Sequence, residues 1–167
     1  MLLVQLQPNL SMLKIPDPHF PILFSLTISE IKTVLFIAGI KIQQCNEESC
    51  AVSVPYKWLT QNPFHSTYFA CLSMAAEMST GALAMANVYQ RKPRASMLIT
   101  NVESKYFKKG VDKTIFTCND GLKIKEVVNE AYQTFSPQSI TVKSEGYNQN
   151  NELIAKFWFT WSFKVKQ

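Results

Sequence analysis

From residue 153 to 166 apolar and polar side chains alternate. Ala155, Phe157, Phe159, Trp161, Phe163 and Val165 share one face of an extended chain, and Lys156, Trp158, Thr160, Ser162, Lys164 and Lys166 share the other. That period of two predicts a long strand of an antiparallel sheet with one face buried. Residues 139–147 read as a further strand, reached through the turn Asn148-Gln149-Asn150-Asn151. Strands are also predicted over 96–107 and 113–119, joined through Lys108-Lys109-Gly110, with Asn119-Asp120-Gly121 marking the next turn. Residues 124–135 carry Val127, Val128, Ala131 and Tyr132 in a short helical pattern that ends before Pro137. Earlier, 38–44 and 51–58 read as a hairpin around the polar turn 45–50. Residues 20–36 place Leu23, Leu26, Ile28, Ile31, Val34 and Leu35 mostly at helical spacings, which predicts one or two short helices, with Ser29 available as a cap.

The stretch 64–89 has a different character. It is built from Ala, Met, Leu, Ser and Thr with few β-branched residues, which predicts one long helix. Phe69, Leu72, Met74, Ala75, Met78, Leu83 and Met85 surround its axis, so the helix needs cover on all sides. A sheet curled around one central helix meets that need and buries one face of each strand. The expected architecture is α+β: a curved antiparallel sheet of five or six strands wrapped around one long helix. Residues 1–37 form an N-terminal arm with short helices, and 38–167 form the domain.

At 167 residues the chain can bury a core without metal or disulfides. Apolar residues reach 47% and charged ones only 17%, which implies that a second subunit covers part of the surface, in a homodimer or a dimer of dimers. The net charge of +5 is spread over scattered basic residues without an aromatic and basic motif, so it suits weak steering of an anion and not a nucleic acid. Cys45, Cys50, Cys71 and Cys118 form no CxxC and stand near no histidine pair; reduced, mostly buried thiols and no metal are expected. The N-terminus lacks the basic start and small-residue cleavage site of a secretory signal, which points to the cytoplasm. The apolar stretches 21–40 and 63–89 contain Glu30, Lys32 and Glu77, and neither reads as a membrane span.

Glu77 is the one formally charged side chain between Asn62 and Gln90. A lone carboxylate inside a buried helix costs several kcal/mol unless something compensates it. Three explanations stand: it faces solvent at an edge, it is held by a lysine from the sheet, or it lines a pocket as general base or nucleophile. Asn62, Pro63, His65 and Ser66 precede the helix. They fit a capping turn, and equally an anion site at the helix start where Asn62 orients a water or a carbonyl.

The stretch from Asn62 through Tyr68-Phe69-Ala70 to Glu77 and Gly81, together with the element order, resembles the hot-dog-fold thioesterases of the phenylacetate type. In that branch an Asn, a His-Gly-Gly at the helix start and an acidic residue two turns later recur in this order. Here Asn62 and Glu77 match, while Tyr68-Phe69-Ala70 replaces His-Gly-Gly and His65 lies three residues too early. The resemblance implies an acyl-coenzyme A or acyl carrier protein thioester as substrate, with coenzyme A present only as part of it. Glu77 would act as general base or nucleophile, Asn62 would position water or substrate, and the Phe69 N–H would polarise the carbonyl, with the Tyr68 hydroxyl in place of the imidazole. Arg91, Lys92 and Arg94, or Lys105, Lys108 and Lys109, would meet the phosphates, and each of these also fits a solvated basic face. The alternative is a non-catalytic acyl-thioester binder that has lost the His-Gly-Gly chemistry.

Overall fold

A computed structural model describes residues 32–166, with side chains from 35 onward. The predicted helices within 20–31 lie outside it. In chain order the elements are helix α1 (Lys32–Ala38), strands β1 (Lys41–Cys45) and β2 (Cys50–Val54), a 3-10 turn (Trp58–Thr60), helix α2 (Phe69–Val88), strands β3 (Ala95–Tyr106) and β4 (Thr114–Cys118), helix α3 (Gly121–Thr134), and strands β5 (Gln138–Tyr147) and β6 (Leu153–Val165).

The six strands form one antiparallel sheet in the order β1-β2-β4-β5-β6-β3. This is the α+β architecture expected, and β6 turns its Ala155-to-Val165 face inward as the alternation requires. Phe116, Phe157, Phe159 and Phe163 are fully buried beneath α2 and α3. Cys45, Cys50 and Cys118 stand opposite one another across three strands, free and buried as expected. Burial pushes the Cys118 thiol up to about 12.

Several boundaries differ from the sequence pattern, each for a local reason. Ala38 closes α1 and Trp58 opens the 3-10 turn, so the hairpin strands are shorter than predicted. Asn119-Asp120-Gly121 does not turn into a strand; Asp120 is the N-cap of α3, which starts three residues before the predicted helix. Gly121 is required there, because a Cβ would fall 2.1 Å from the Glu47 carbonyl oxygen of the β1–β2 turn. Helix α2 begins at Phe69 and not at 64, because residues 61–67 close on themselves through the Gln61–Thr67 bridge.

The described residues do not by themselves cover α2 on all sides. Cys71, Leu72, Ala75, Ala76 and residues 79–84 are buried against the sheet, but Met74, Glu77, Met78 and Met85 lie on a face that stays half-open. Among the described residues nothing covers the outer edge of β3 either: it is an edge strand of 12 residues, and none of them is buried. Helix α2 is long and apolar enough to cross a membrane (20 residues, mean hydropathy 1.3), and half of that apolar window is buried inside the fold.

Candidate functional site

The loop before α2 is a closed unit. Asn62 Oδ1 accepts from the backbone N–H groups of Phe64 (3.0 Å) and Ser66 (3.2 Å), and its Nδ2 donates to Ser66 Oγ (3.0 Å). Thr67 fastens the loop to the β3–β4 connection: its N–H and its hydroxyl both donate to the Gly110 carbonyl, at 2.7 and 3.0 Å. The capping turn read from Pro63 and Ser66 therefore exists, but ahead of the helix. The N-cap of α2 is Tyr68, whose side chain caps nothing. Among the described residues no acceptor faces the N–H of Phe69 or of Ala70, as expected for the first turn of a helix.

Beside these N–H groups lies an open groove of about 790 Å³, lined by Phe64, Tyr68, Phe69, Leu72, Tyr106 and Phe107, with Asn62 and Lys109 at its polar rim. The rings of Tyr68 and Phe69 meet edge to face at 5.1 Å and are half-exposed at its mouth. No sequence pattern singles out Tyr106, Phe107 and Leu72 for this groove, because only the sheet order brings the end of β3 alongside the start of α2.

Glu77 stands apart from this groove. It follows Phe69 by eight residues, about 12 Å along the helix axis, so one chain does not bring it together with Asn62, Tyr68 and the Phe69 N–H. The lysine partner considered for it is absent among the described residues, and burial pushes its carboxyl above the usual carboxylate range. The carboxylate rests over Gly81, next to Trp161 of β6, on the half-open face of α2. A glycine one turn after the acid, within a run of good helix formers, is the sequence signal for this notch.

The basic residues separate into engaged and free. Arg91 donates from Nη1 to Asn129 Oδ1 at 2.9 Å, and its guanidinium lies 3.9 Å from the Tyr132 ring centroid, so it ties α2 to α3. Lys108 is paired with Glu152, and Lys105 lies over Trp158. Lys92 and Arg94 are exposed. With Arg91, Tyr89 and Met97 they line a second hollow of about 610 Å³ at the C-terminal end of α2. The predicted phosphate contacts thus form two groups at opposite ends of the helix.

The profile of a family described as "Domain of unknown function (DUF4442)" matches residues 22–163. No curated protein matches the chain. Among solved structures, a Pseudomonas aeruginosa protein of unknown function, named a probable thioesterase, superposes with a TM-score of 0.73 at 15% identity, covering 87% of this chain and 95% of its own. The PaaI protein of the Escherichia coli phenylacetic acid degradation operon gives 0.63 at 13% identity, with 89% and 95% covered. A Haemophilus influenzae thioesterase gives 0.56 at 11% identity, with 83% and 88% covered. At these identities the likeness establishes the fold, and it is the hot-dog fold expected from residues 62–81 and the element order.

Proposed function

This chain belongs to the DUF4442 family and has the hot-dog fold, and on that premise we propose that it hydrolyses acyl thioesters of coenzyme A or of acyl carrier protein at a site completed by a second copy of the chain. The observation that carries this reading is Glu77: a half-buried carboxylate, raised by burial, with no cation beside it among the described residues and on the face of α2 that those residues leave half-open. A stable fold gains nothing from such a group, whereas a base needs this environment.

The homodimer has two supports. Strand β3, paired with β6 on one side only, offers a free edge along its 12 residues together with the half-exposed Val102 and Tyr106. A two-fold pairing of β3 with its copy would run the two α2 helices in opposite directions. Glu77 of one chain would then approach the free Phe69 N–H of the other, which eight residues of helix forbid within one chain. The same operation would set the Lys92 and Arg94 end of one α2 beside the Lys109 end of the other, where the phosphates of the substrate need cations. A dimer of dimers is compatible with this pairing.

In the proposed step the Glu77 carboxylate takes a proton from water as the hydroxide adds to the acyl carbonyl. The tetrahedral oxyanion accepts from the Phe69 N–H, with the Tyr68 hydroxyl as second donor. Collapse breaks the C–S bond, and the leaving thiolate takes the proton back from Glu77, giving a carboxylic acid and a thiol. Asn62, whose amide is spent on its own turn, serves by holding the loop that aims these donors. The step requires no metal, and coenzyme A enters only with the substrate. The reaction is proposed for the cytoplasm, where the four buried thiols stay reduced.

Binding without hydrolysis is the second reading, favoured by the Tyr68 and Phe69 rings at the groove mouth, where they narrow the approach of a carbonyl to the helix start. A panel of short, long and aromatic acyl-coenzyme A esters, tested with the natural chain and Glu77→Gln, decides between the two. Turnover that vanishes in the variant supports hydrolysis. Ligand-induced stabilisation that persists in the variant, without turnover in either protein, supports a binder.

A further inference from the structure

We propose that Thr80, Gly81 and Trp161 are positioning residues that together seat the Glu77 carboxylate, an inference that rests on the reading of Glu77 as the base. Gly81 is the one glycine of α2 and is buried. In a helix interior glycine costs about 1 kcal/mol relative to alanine, and no left-handed conformation asks for it here. Space does: a Cβ at this position would lie 2.9 Å from Glu77 Oε1 and 3.4 Å from Trp161 Cζ2. Alanine would improve the helix, but its Cβ would push the Glu77 carboxylate end aside, so glycine leaves the space over residue 81 to the acid beside the indole edge.

The indole is itself fastened to the turn that carries Glu77. Trp161, 4% exposed, donates from Nε1 to Thr80 Oγ1 at 3.1 Å, and the Thr80 hydroxyl donates to the Glu77 carbonyl oxygen at 2.9 Å. This relay uses both hydrogen-bonding capacities of the threonine and joins strand β6 to residues 77–81 of the helix. Any tilt of that turn would move the carboxylate and stretch both bonds. The indole edge and the Glu77 carboxylate thus border the same space over Gly81, and Glu77 remains half-buried. Among the described residues no charged group from the strands or from α3 perturbs Glu77, and burial alone accounts for its raised pKa.

The test reads the seat without needing a substrate. In the full chain carrying Trp58→Phe and Trp158→Phe, Trp161 is the sole tryptophan, and its selectively excited emission is followed against pH. The expected result is a transition above the usual carboxylate range that Glu77→Gln abolishes. Gly81→Ala and Thr80→Val should displace its midpoint, whereas Thr80→Ser, which keeps the hydroxyl, should preserve it. On any thioester that is turned over, Gly81→Ala and Thr80→Val should lower kcat on the order of tenfold to a hundredfold with KM little changed. A midpoint that neither Gly81→Ala nor Thr80→Val moves overturns the seat, whatever the hydrolysis assay gives. A displaced midpoint in a chain that hydrolyses no thioester supports the seat and refutes the hydrolase instead.

Discussion

Glu77 on α2 and Glu145 on β5 are both half-buried carboxylates, but their surroundings drive them in opposite directions. Glu145 Oε1 accepts from Lys156 Nζ at 2.6 Å and from Lys143 Nζ at 3.2 Å. The Lys156 hydrogen bond is the main reason its carboxyl lies below the usual range, with Lys143 adding to it against the opposing pull of burial. Among the described residues Glu77 has no such neighbour, and burial carries it upward. The difference originates in where the cations stand. Cross-strand register puts Lys156 directly opposite Glu145, whereas no lysine or arginine occurs between Asn62 and Gln90. A carboxylate clamped by two cations serves the sheet. One left alone beside an indole is available for chemistry.

Catalysis should separate the two most sharply. Glu77→Gln should cut thioester hydrolysis by about 10²- to 10⁴-fold, the usual worth of a positioned base, while Glu145→Gln leaves kcat/KM within a factor of about two, a local change in charge being its one effect on a distant site. Equal losses in steady-state assays of the two variants would erase the distinction.

Stability should reverse the order. Removing one partner of the Glu145 cluster should cost up to about 1 kcal/mol at neutral pH, and Glu77→Gln should be neutral or stabilising by a similar amount, because it relieves an uncompensated charge. Urea unfolding of the two variants at pH 7 reads both signs at once.

The pH dependence of the melting temperature should differ in kind as well. With its pKa raised on folding, Glu77 holds more protons in the native than in the unfolded chain. Its contribution therefore falls as pH climbs from the usual carboxylate value through the raised one. Glu145, with its pKa depressed, contributes above the usual value and loses that contribution as pH falls through the depressed one. Glu77→Gln should flatten the profile on the neutral side, and Glu145→Gln on the acid side. A single shared slope in both variants would contradict the two environments.

The smallest effect concerns Lys108. Its pair with Glu152 is exposed on both sides, so Lys108→Ala should leave stability in urea unfolding nearly unchanged. With the lysine already engaged, KM for a thioester should respond less than to Lys92→Ala or Arg94→Ala. A larger KM change at 108 would return Lys108 to the substrate site.

Much of the fold is legible in the residue pattern. The alternation in β6 identifies Phe157, Phe159, Trp161 and Phe163 as inward-facing, because side chains of an extended strand must alternate. The apolar run after Asn62 announces a central helix, and the resemblance carried by residues 62–81 and the element order implies the hot-dog fold that the structure has. The five-residue delay in the start of α2 is not legible. It depends on hydrogen bonds that Asn62 makes within residues 62–66 and that Thr67 makes with Gly110, 43 residues away.

The same division holds at the site. Sequence by itself determined that one carboxylate would stand in an apolar helix with no cation near it along the chain, since composition and helical period are properties of neighbours along the chain. Tertiary structure alone decided that Asn62 is occupied by its own turn, that Arg91 and Lys108 are engaged elsewhere, and that Glu77 and the Phe69 N–H cannot meet within one chain. It also decided that Trp161, 81 residues from Thr80, anchors the turn that carries Glu77. Such partners are set by strand order and register, which bring distant residues to one place, and no local pattern encodes that meeting.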